Sequence, residues 1–165
     1  MKKLFVVGAL ALFGAMNAQS GFKLGANVGL PLGDASDYSS FTAGVDASYL
    51  WPVAADFNLG LATGAQMWFG KTVDLPGYGS VKADNSLMIP IAASGQYRFT
   101  PEFSLGVDLG YAFGTEDGAK GGFYYAPKAA YHFGPSEVNV SYRGVSRDGA
   151  SVASVNLGYA YSFGK

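Results

Sequence analysis

The last ten residues, NLGYAYSFGK (156–165), put Leu157, Tyr159, Tyr161 and Phe163 on alternate positions, with Asn156, Gly158, Ala160 and Ser162 between them. Successive side chains of a β-strand point to opposite faces, so this stretch reads as a strand with one greasy face and one small, polar face. An amphipathic helix would repeat its apolar residues at i, i+3 and i+4 instead. The alternation decides the local structure. Which surroundings each face meets depends on the rest of the chain.

Seven further segments carry the same code. Residues 22–30 align Phe22, Leu24, Ala26, Val28 and Leu30, and residues 40–51 align Phe41, Ala43, Val45, Ala47, Tyr49 and Trp51. Residues 56–69 align Phe57, Leu59, Leu61, Thr63, Ala65, Met67 and Phe69, and residues 86–99 align Leu87, Ile89, Ile91, Ala93, Tyr97 and Phe99. Residues 102–113, 122–133 and 136–144 repeat the pattern from Phe103 to Phe113, Phe123 to Phe133 and Val138 to Tyr142, and the closing strand extends back to about Ser151. Glycine recurs inside most of these segments, which further disfavours helix. The connections alternate: WPVAAD, TPE and GPSE are tight, whereas PLGDASDYSS, GKTVDLPGYGSVKADNS, GTEDGAKG and SRDGAS are longer and more polar. Short turns at one end and longer loops at the other predict an all-β, eight-stranded antiparallel up-and-down β-barrel.

The aromatic residues choose the solvent. On the apolar faces, one end of the strands collects Trp51, Phe57, Phe99, Phe103, Phe133, Tyr161 and Phe163, and the other collects Phe41, Phe69, Tyr111, Phe113 and Phe123. Between them lie Val45, Leu61, Ile91, Val107, Val140 and Leu157. A water-soluble core has no reason to sort rings from aliphatics by height, but a membrane does, because amphipathic rings favour its two interfaces. The opposite faces carry many glycines together with Asp46, Arg98, Asp108, Lys128 and Arg143, so the barrel is transmembrane, with its apolar side out. An eight-stranded interior is just wide enough for side chains to fill.

Bulk composition agrees. Charged residues make up 14% of the 165, against about 25% in ordinary soluble domains. Lys2 and Lys3 followed by the apolar run from Leu4 to Phe13 form a secretory signal peptide, with cleavage expected after Ala18, leaving residues 19–165 as the barrel domain. The mature chain then holds nine basic and twelve acidic residues, a balance that gives no footprint for nucleic acid. There is no cysteine, hence no disulfide framework.

The whole mature chain resembles the OmpA/OmpX-like family of small outer-membrane barrels, most specifically in Tyr159, Tyr161 and Phe163, which look like the C-terminal aromatic signal read by the barrel-insertion machinery. That resemblance implies a monomer in the outer membrane, surrounded by its lipid and lipopolysaccharide, with both termini periplasmic.

Candidate chemistry is sparse. GAQMWFGKT (64–72) has one residue too many between its glycines for a P-loop and no following helix. His132 is the single histidine, which excludes a zinc site of Cys and His, and its parity points it into the lumen near the short-turn end, where a structural role is expected. No catalytic residue, metal or cofactor is assigned. Two candidate sites remain. One is the lumen charge network of Asp46, Arg98, Asp108, Lys128 and Arg143, read as an ion-pair plug or, alternatively, as a narrow gate for ions or small solutes. The other is the longest loop, where Lys71, Asp74, Tyr78, Lys82 and Asp84 form a candidate surface for an extracellular ligand. The leading expectation is a non-enzymatic structural or surface-interaction barrel; a lipid-modifying barrel enzyme is the remotest alternative.

Overall fold

The alternating segments close on themselves. A computed structural model describes residues 21–75, 79–115, 121–147 and 149–163. The long strands are β1 (Phe22–Leu32), β2 (Ser39–Ala54), β3 (Phe57–Gly70), β6 (Ser86–Arg98), β7 (Phe103–Gly114), β8 (Gly122–Phe133), β9 (Ser136–Arg147) and β10 (Ala150–Phe163). Each pairs antiparallel with its chain neighbour among them, and β10 returns to β1, giving a closed eight-stranded up-and-down barrel. Closure removes the open edges that a sheet of this length would otherwise present. The closing seam runs from Phe22↔Phe163 to Leu32↔Ala153 without a bulge.

Both described ends of the chain, Gly21 and Phe163, lie at the end of the barrel that carries the turns 55–56, 99–102 and 134–135; this is called the terminal end below. The opposite, loop end differs from expectation in three places. The long connection contains a second hairpin, β4 (Thr72–Leu75) with β5 (Gly79–Lys82), and a four-residue helix, α1 (Ala35–Tyr38), occupies the first loop. The SRDGAS connection is not long: β9 and β10 stay paired to Arg147↔Ala150, leaving two residues, with Gly149 at φ +83°. A two-residue hairpin needs left-handed backbone, and glycine supplies it without steric cost.

The barrel is built inside out. Val28, Leu61, Ile91 and Leu157 each leave 55–58% of their surface uncovered by protein, whereas Thr42, Ser154 and Asn156 are completely buried. An uninterrupted apolar belt of this kind is what a bilayer covers, and it far exceeds the patches that water-soluble monomers expose. Gly144 on that outer face is covered by the Tyr125 ring, which lies where a Cβ would stand.

Inside, large side chains are set against glycines on the neighbouring strands. Asp46 pairs with Gly25 and Gly64, Gln66 with Gly44, Lys128 with Gly106, Tyr124 with Gly110, and Asn139 with Gly158. Asn27 is flanked by Gly44 and Gly158, and Gly29 by Thr42 and Asn156. At these positions a large side chain faces a glycine, which fills the narrow interior without overpacking, whereas His132↔Glu137 and Gln66↔Met88 set two long side chains side by side.

Candidate functional site

The lumen holds three tiers of polar groups. Each follows from where the parity of a strand turns a side chain inward and from which glycine gives it room.

The middle tier contains two ion pairs. Lys128 on β8 donates to both carboxylate oxygens of Asp108 on β7, at 2.8 and 2.9 Å, and Ser94 Oγ on β6 donates to the same carboxylate at 2.5 Å. Arg143 on β9 meets Asp46 on β2 in a two-pronged contact, Nη1 to Oδ1 at 2.9 Å and Nη2 to Oδ2 at 2.8 Å. Asn27 Nδ2 donates to Asp46 Oδ2 at 2.8 Å, and Gln66 Oε1 accepts from Arg143 Nη1 at 3.0 Å. Fork-to-carboxylate pairing fixes geometry as well as charge. Towards the loop end, Thr42 Oγ1 donates to Asn156 Oδ1 at 2.9 Å across Gly29, and Asn156 Nδ2 donates to Ser154 Oγ at 2.8 Å. Beside this tier, Tyr124 packs with Ala92, Ala112 and Ala126 in an apolar cluster against Val145.

At the terminal end, five strands contribute to a ring. Lys23 Nζ on β1 donates to Glu137 Oε2 on β9 at 2.6 Å and to Gln96 Oε1 on β6 at 3.3 Å. Gln96 Nε2 donates to Ser104 Oγ on β7 at 2.7 Å, and Ser104 Oγ lies 2.7 Å from His132 Nε2 on β8. His132 Nδ1 stands 3.4 Å from Glu137 Oε2, which brings the ring back to its start. A cavity of ≈ 50 Å³ adjoins Lys23, Gln96 and Glu137 and reaches the middle-tier charges.

Four of the five expected lumen charges, Asp46, Asp108, Lys128 and Arg143, thus form two discrete pairs. Arg98 does not join them: it is the last residue of β6, paired with Ser104 at the terminal end and exposed there, and has no ion pair among the described residues. Lys23, Glu137, Gln96 and Ser104 are further lumen residues, outside the candidate sites drawn from the sequence. Parity alone turned them inward, but only the strand order and register bring Lys23 across β10 to Glu137.

The interface aromatics stand on the outer wall in contacting sets. Trp51 meets Tyr49 at 5.0 Å, Phe99 meets Tyr97, Phe103 meets Tyr131 and Phe163 meets Tyr161, each at 4.9 Å, while Phe133 lies 6.3 Å from Tyr131. Phe57 is half-buried in the same band. Phe22 departs from it, being buried beside Phe163.

In the long loop, Lys71 and Asp84 are exposed, Asp74 lies on β4 opposite Ser80, and Lys82 lies on β5 opposite Thr72; Tyr78 falls outside the described residues. The hairpin base is tied to the barrel rim: Lys71 N donates to Tyr38 O at 2.8 Å, Ala83 N to Lys71 O at 3.0 Å, and Gly70 N to Asn85 Oδ1 at 3.0 Å.

No protein-family model and no curated protein matches this chain. Solved structures do match its fold. Ail, the attachment invasion locus protein of Yersinia pestis, solved with the heparin analogue sucrose octasulfate, is 14% identical, with 87% of this chain and 97% of that one covered at a TM-score of 0.58. The outer membrane enzyme PagL is 14% identical over 84% of this chain and 98% of its own, with a TM-score of 0.57. A de novo designed transmembrane β-barrel is 15% identical over 88% and 98%, with a TM-score of 0.53. The chain therefore has the fold of the small eight-stranded outer-membrane barrels.

Proposed function

We propose that this chain is an outer-membrane protein of the OmpA/OmpX-like kind whose role is to present its loop end, the β4–β5 hairpin above all, to a partner outside the cell. The termini then face the periplasm, lipopolysaccharide surrounds the loop end, and Tyr159, Tyr161 and Phe163 serve the insertion machinery. The observation that carries the reading is the closed lumen: its charges are paired and Thr42, Ser94, Ser154 and Asn156 have essentially no accessible surface, which side chains lining a water-filled path would have. A barrel that does not conduct leaves its rim as the working surface, and rigid scaffolds commonly act through their loops. This presentation needs neither catalysis nor a cofactor.

Attachment by the fold relative Ail, described in complex with a heparin analogue, supports a surface role but not the same ligand. The loop-end connections here contain seven acidic residues (Asp34, Asp37, Asp74, Asp84, Glu116, Asp117 and Asp148) and four basic ones (Lys71, Lys82, Lys120 and Arg147). A surface of that sign repels polyanions and suits a neutral or basic partner.

Two measurements test the proposal. Purified barrel in a planar bilayer is expected to give no stable open level, and a reproducible conducting level replaces the scaffold with the pore. Deleting residues 72–84 is expected to keep heat-modifiable gel mobility while cutting adhesion of cells displaying the barrel several-fold; unchanged adhesion refutes presentation by the hairpin.

A further inference from the structure

We propose that Ser104 is an activated nucleophile and that the ring at the terminal end is an acyl-transfer site, distinct from the loop-end role. The geometry carries the proposal. Ser104 Oγ is 2.7 Å from His132 Nε2, and His132 Nδ1 is 3.4 Å from Glu137 Oε2, so a nucleophile, a base and a carboxylate that orients the base stand in series. The surrounding hydrogen bonds set the proton positions. Lys23 donates to Glu137 at 2.6 Å and keeps that carboxylate an acceptor, which favours the imidazole tautomer with its proton on Nδ1. Nε2 is then left to accept from the Ser104 hydroxyl.

The Gln96 amide is oriented in turn. Lys23 Nζ donates to Oε1 at 3.3 Å, so Nε2 faces Ser104 at 2.7 Å and presents a donor beside the atom that would attack. Five strands hold these groups, each within three residues of its end, so the ring lies just inside the terminal mouth, with Ser104 and Gln96 each 3% exposed. Behind it the ≈ 50 Å³ cavity bordered by Lys23, Gln96 and Glu137 runs towards Asp108 and Lys128 and has room for a few waters. Because Ser104 is 3% exposed, the matching substrate is the smallest kind of acyl ester, one that can slip between the terminal turns.

In the first step, Ser104 Oγ bonds to the acyl carbon while its proton passes to His132 Nε2, and the Gln96 amide donates to the oxygen that gains charge. The carbon–oxygen bond to the leaving alcohol then breaks and His132 returns the proton to that alcohol. Water repeats the sequence on acyl-Ser104, giving the free acid and the original serine. Glu137 and Lys23 are positioning residues: they orient His132 and Gln96 without touching the reacting atoms.

The test uses the folded full-length barrel in micelles with a small fluorophosphonate, and with p-nitrophenyl acetate as the ester. The expected result is a single covalent adduct on the peptide containing Ser104, none in Ser104→Ala, and labelling slowed by about 100-fold or more in His132→Gln, the range that a general base supplies. In Glu137→Gln, labelling also slows and its pH profile is displaced, which a residue that only supports the fold would not do. Heat-modifiable mobility confirms that each variant is folded; should His132→Gln fail to fold, His132→Asn replaces it. Absence of an Ser104 adduct on the folded wild-type chain overturns the proposal. Equal labelling of a folded His132 variant overturns it too, because the serine would then be accessible but not activated.

Discussion

Removing the ammonium of Lys128 probes the closed lumen most directly. Lys128 Nζ sits 2.8 and 2.9 Å from the two oxygens of Asp108, with 19% and 11% of the respective side chains exposed. At that separation and an effective dielectric of about 20, the gross attraction is about 6 kcal/mol, most of it offset by the desolvation of both ions. Taking away one partner forfeits the attraction and keeps the desolvation of the other, which costs about 3–5 kcal/mol for buried pairs. Lys128→Met is expected at the low end, about 3 kcal/mol, because Asp108 keeps its hydrogen bond from Ser94 and the adjoining cavity admits water. Asp108→Asn is expected to cost a similar amount, but the double variant only about 1–2 kcal/mol, since it leaves no unpaired charge. Urea unfolding of barrels refolded into lipid vesicles, followed by tryptophan emission and gel mobility, measures all three. A Lys128→Met cost below about 1 kcal/mol, or strictly additive single variants, would mean that bulk water solvates the pair, and the closed-lumen argument would fall with it.

Three further outcomes follow from particular residues. Gly29→Ala drives a methyl group into the Asn156 amide and the Val155 carbonyl and is expected to destabilise the barrel by about 1–3 kcal/mol in the same urea assay; a neutral result would mean the closing seam is looser than its register implies. Trp51 faces outward at the terminal-end interface and Trp68 is buried, so lipids brominated near the headgroup are expected to quench Trp51 emission only, and Trp51→Phe to abolish the quenching; quenching that survives in Trp51→Phe would place Trp68 against lipid and contradict the orientation of β3. Immobilised sulfated polysaccharide is expected to retain none of the purified barrel at about 0.15 M salt, given the seven acidic against four basic residues in the loop-end connections; salt-sensitive retention would show that the basic side chains act as a cluster despite the opposing balance.

The sequence shows most clearly what depends on one strand at a time. Leu157, Val140 and Ile91 reveal the outer face by alternation alone, and Asp108 and Lys128 could be matched because a single hairpin joins their strands. What needs several strands at once is hidden. Lys23 meets Glu137 only because β10 lies between β1 and β9 with Ala160 opposite both Gly25 and Glu137, leaving room for a contact across it. The parity of His132 was plain, yet its neighbours Ser104 and Glu137 lie on two other strands. The β4–β5 hairpin escaped because four-residue strands are too short to display a period. Arg98 differs for another reason: it is inward by parity and still paired with Ser104, but as the last residue of β6 its long side chain stands exposed, away from the middle-tier ion pairs.

Alternation also cannot specify register completely, because a slip of two residues preserves every inward and outward assignment. The lumen glycines supply the missing information. In the observed register Asn27 lies between Gly44 and Gly158, and Gly29 between Thr42 and Asn156, so both of these levels carry large side chains beside a glycine that makes room for them. Sliding β1 against β2 by two residues in one direction sets Asn27 beside Asp46 and Gly29 beside Gly44; sliding it in the other sets Asn27 beside Thr42 and Gly25 beside Gly44. Either slip crowds one tier and opens a void in another, and both errors are costly in a close-packed interior. The same slip would separate Thr42 from Asn156, whose hydrogen bond crosses the space that Gly29 leaves empty. Glycine, which weakens an isolated strand, here selects the one closure in which the polar lumen is both filled and paired.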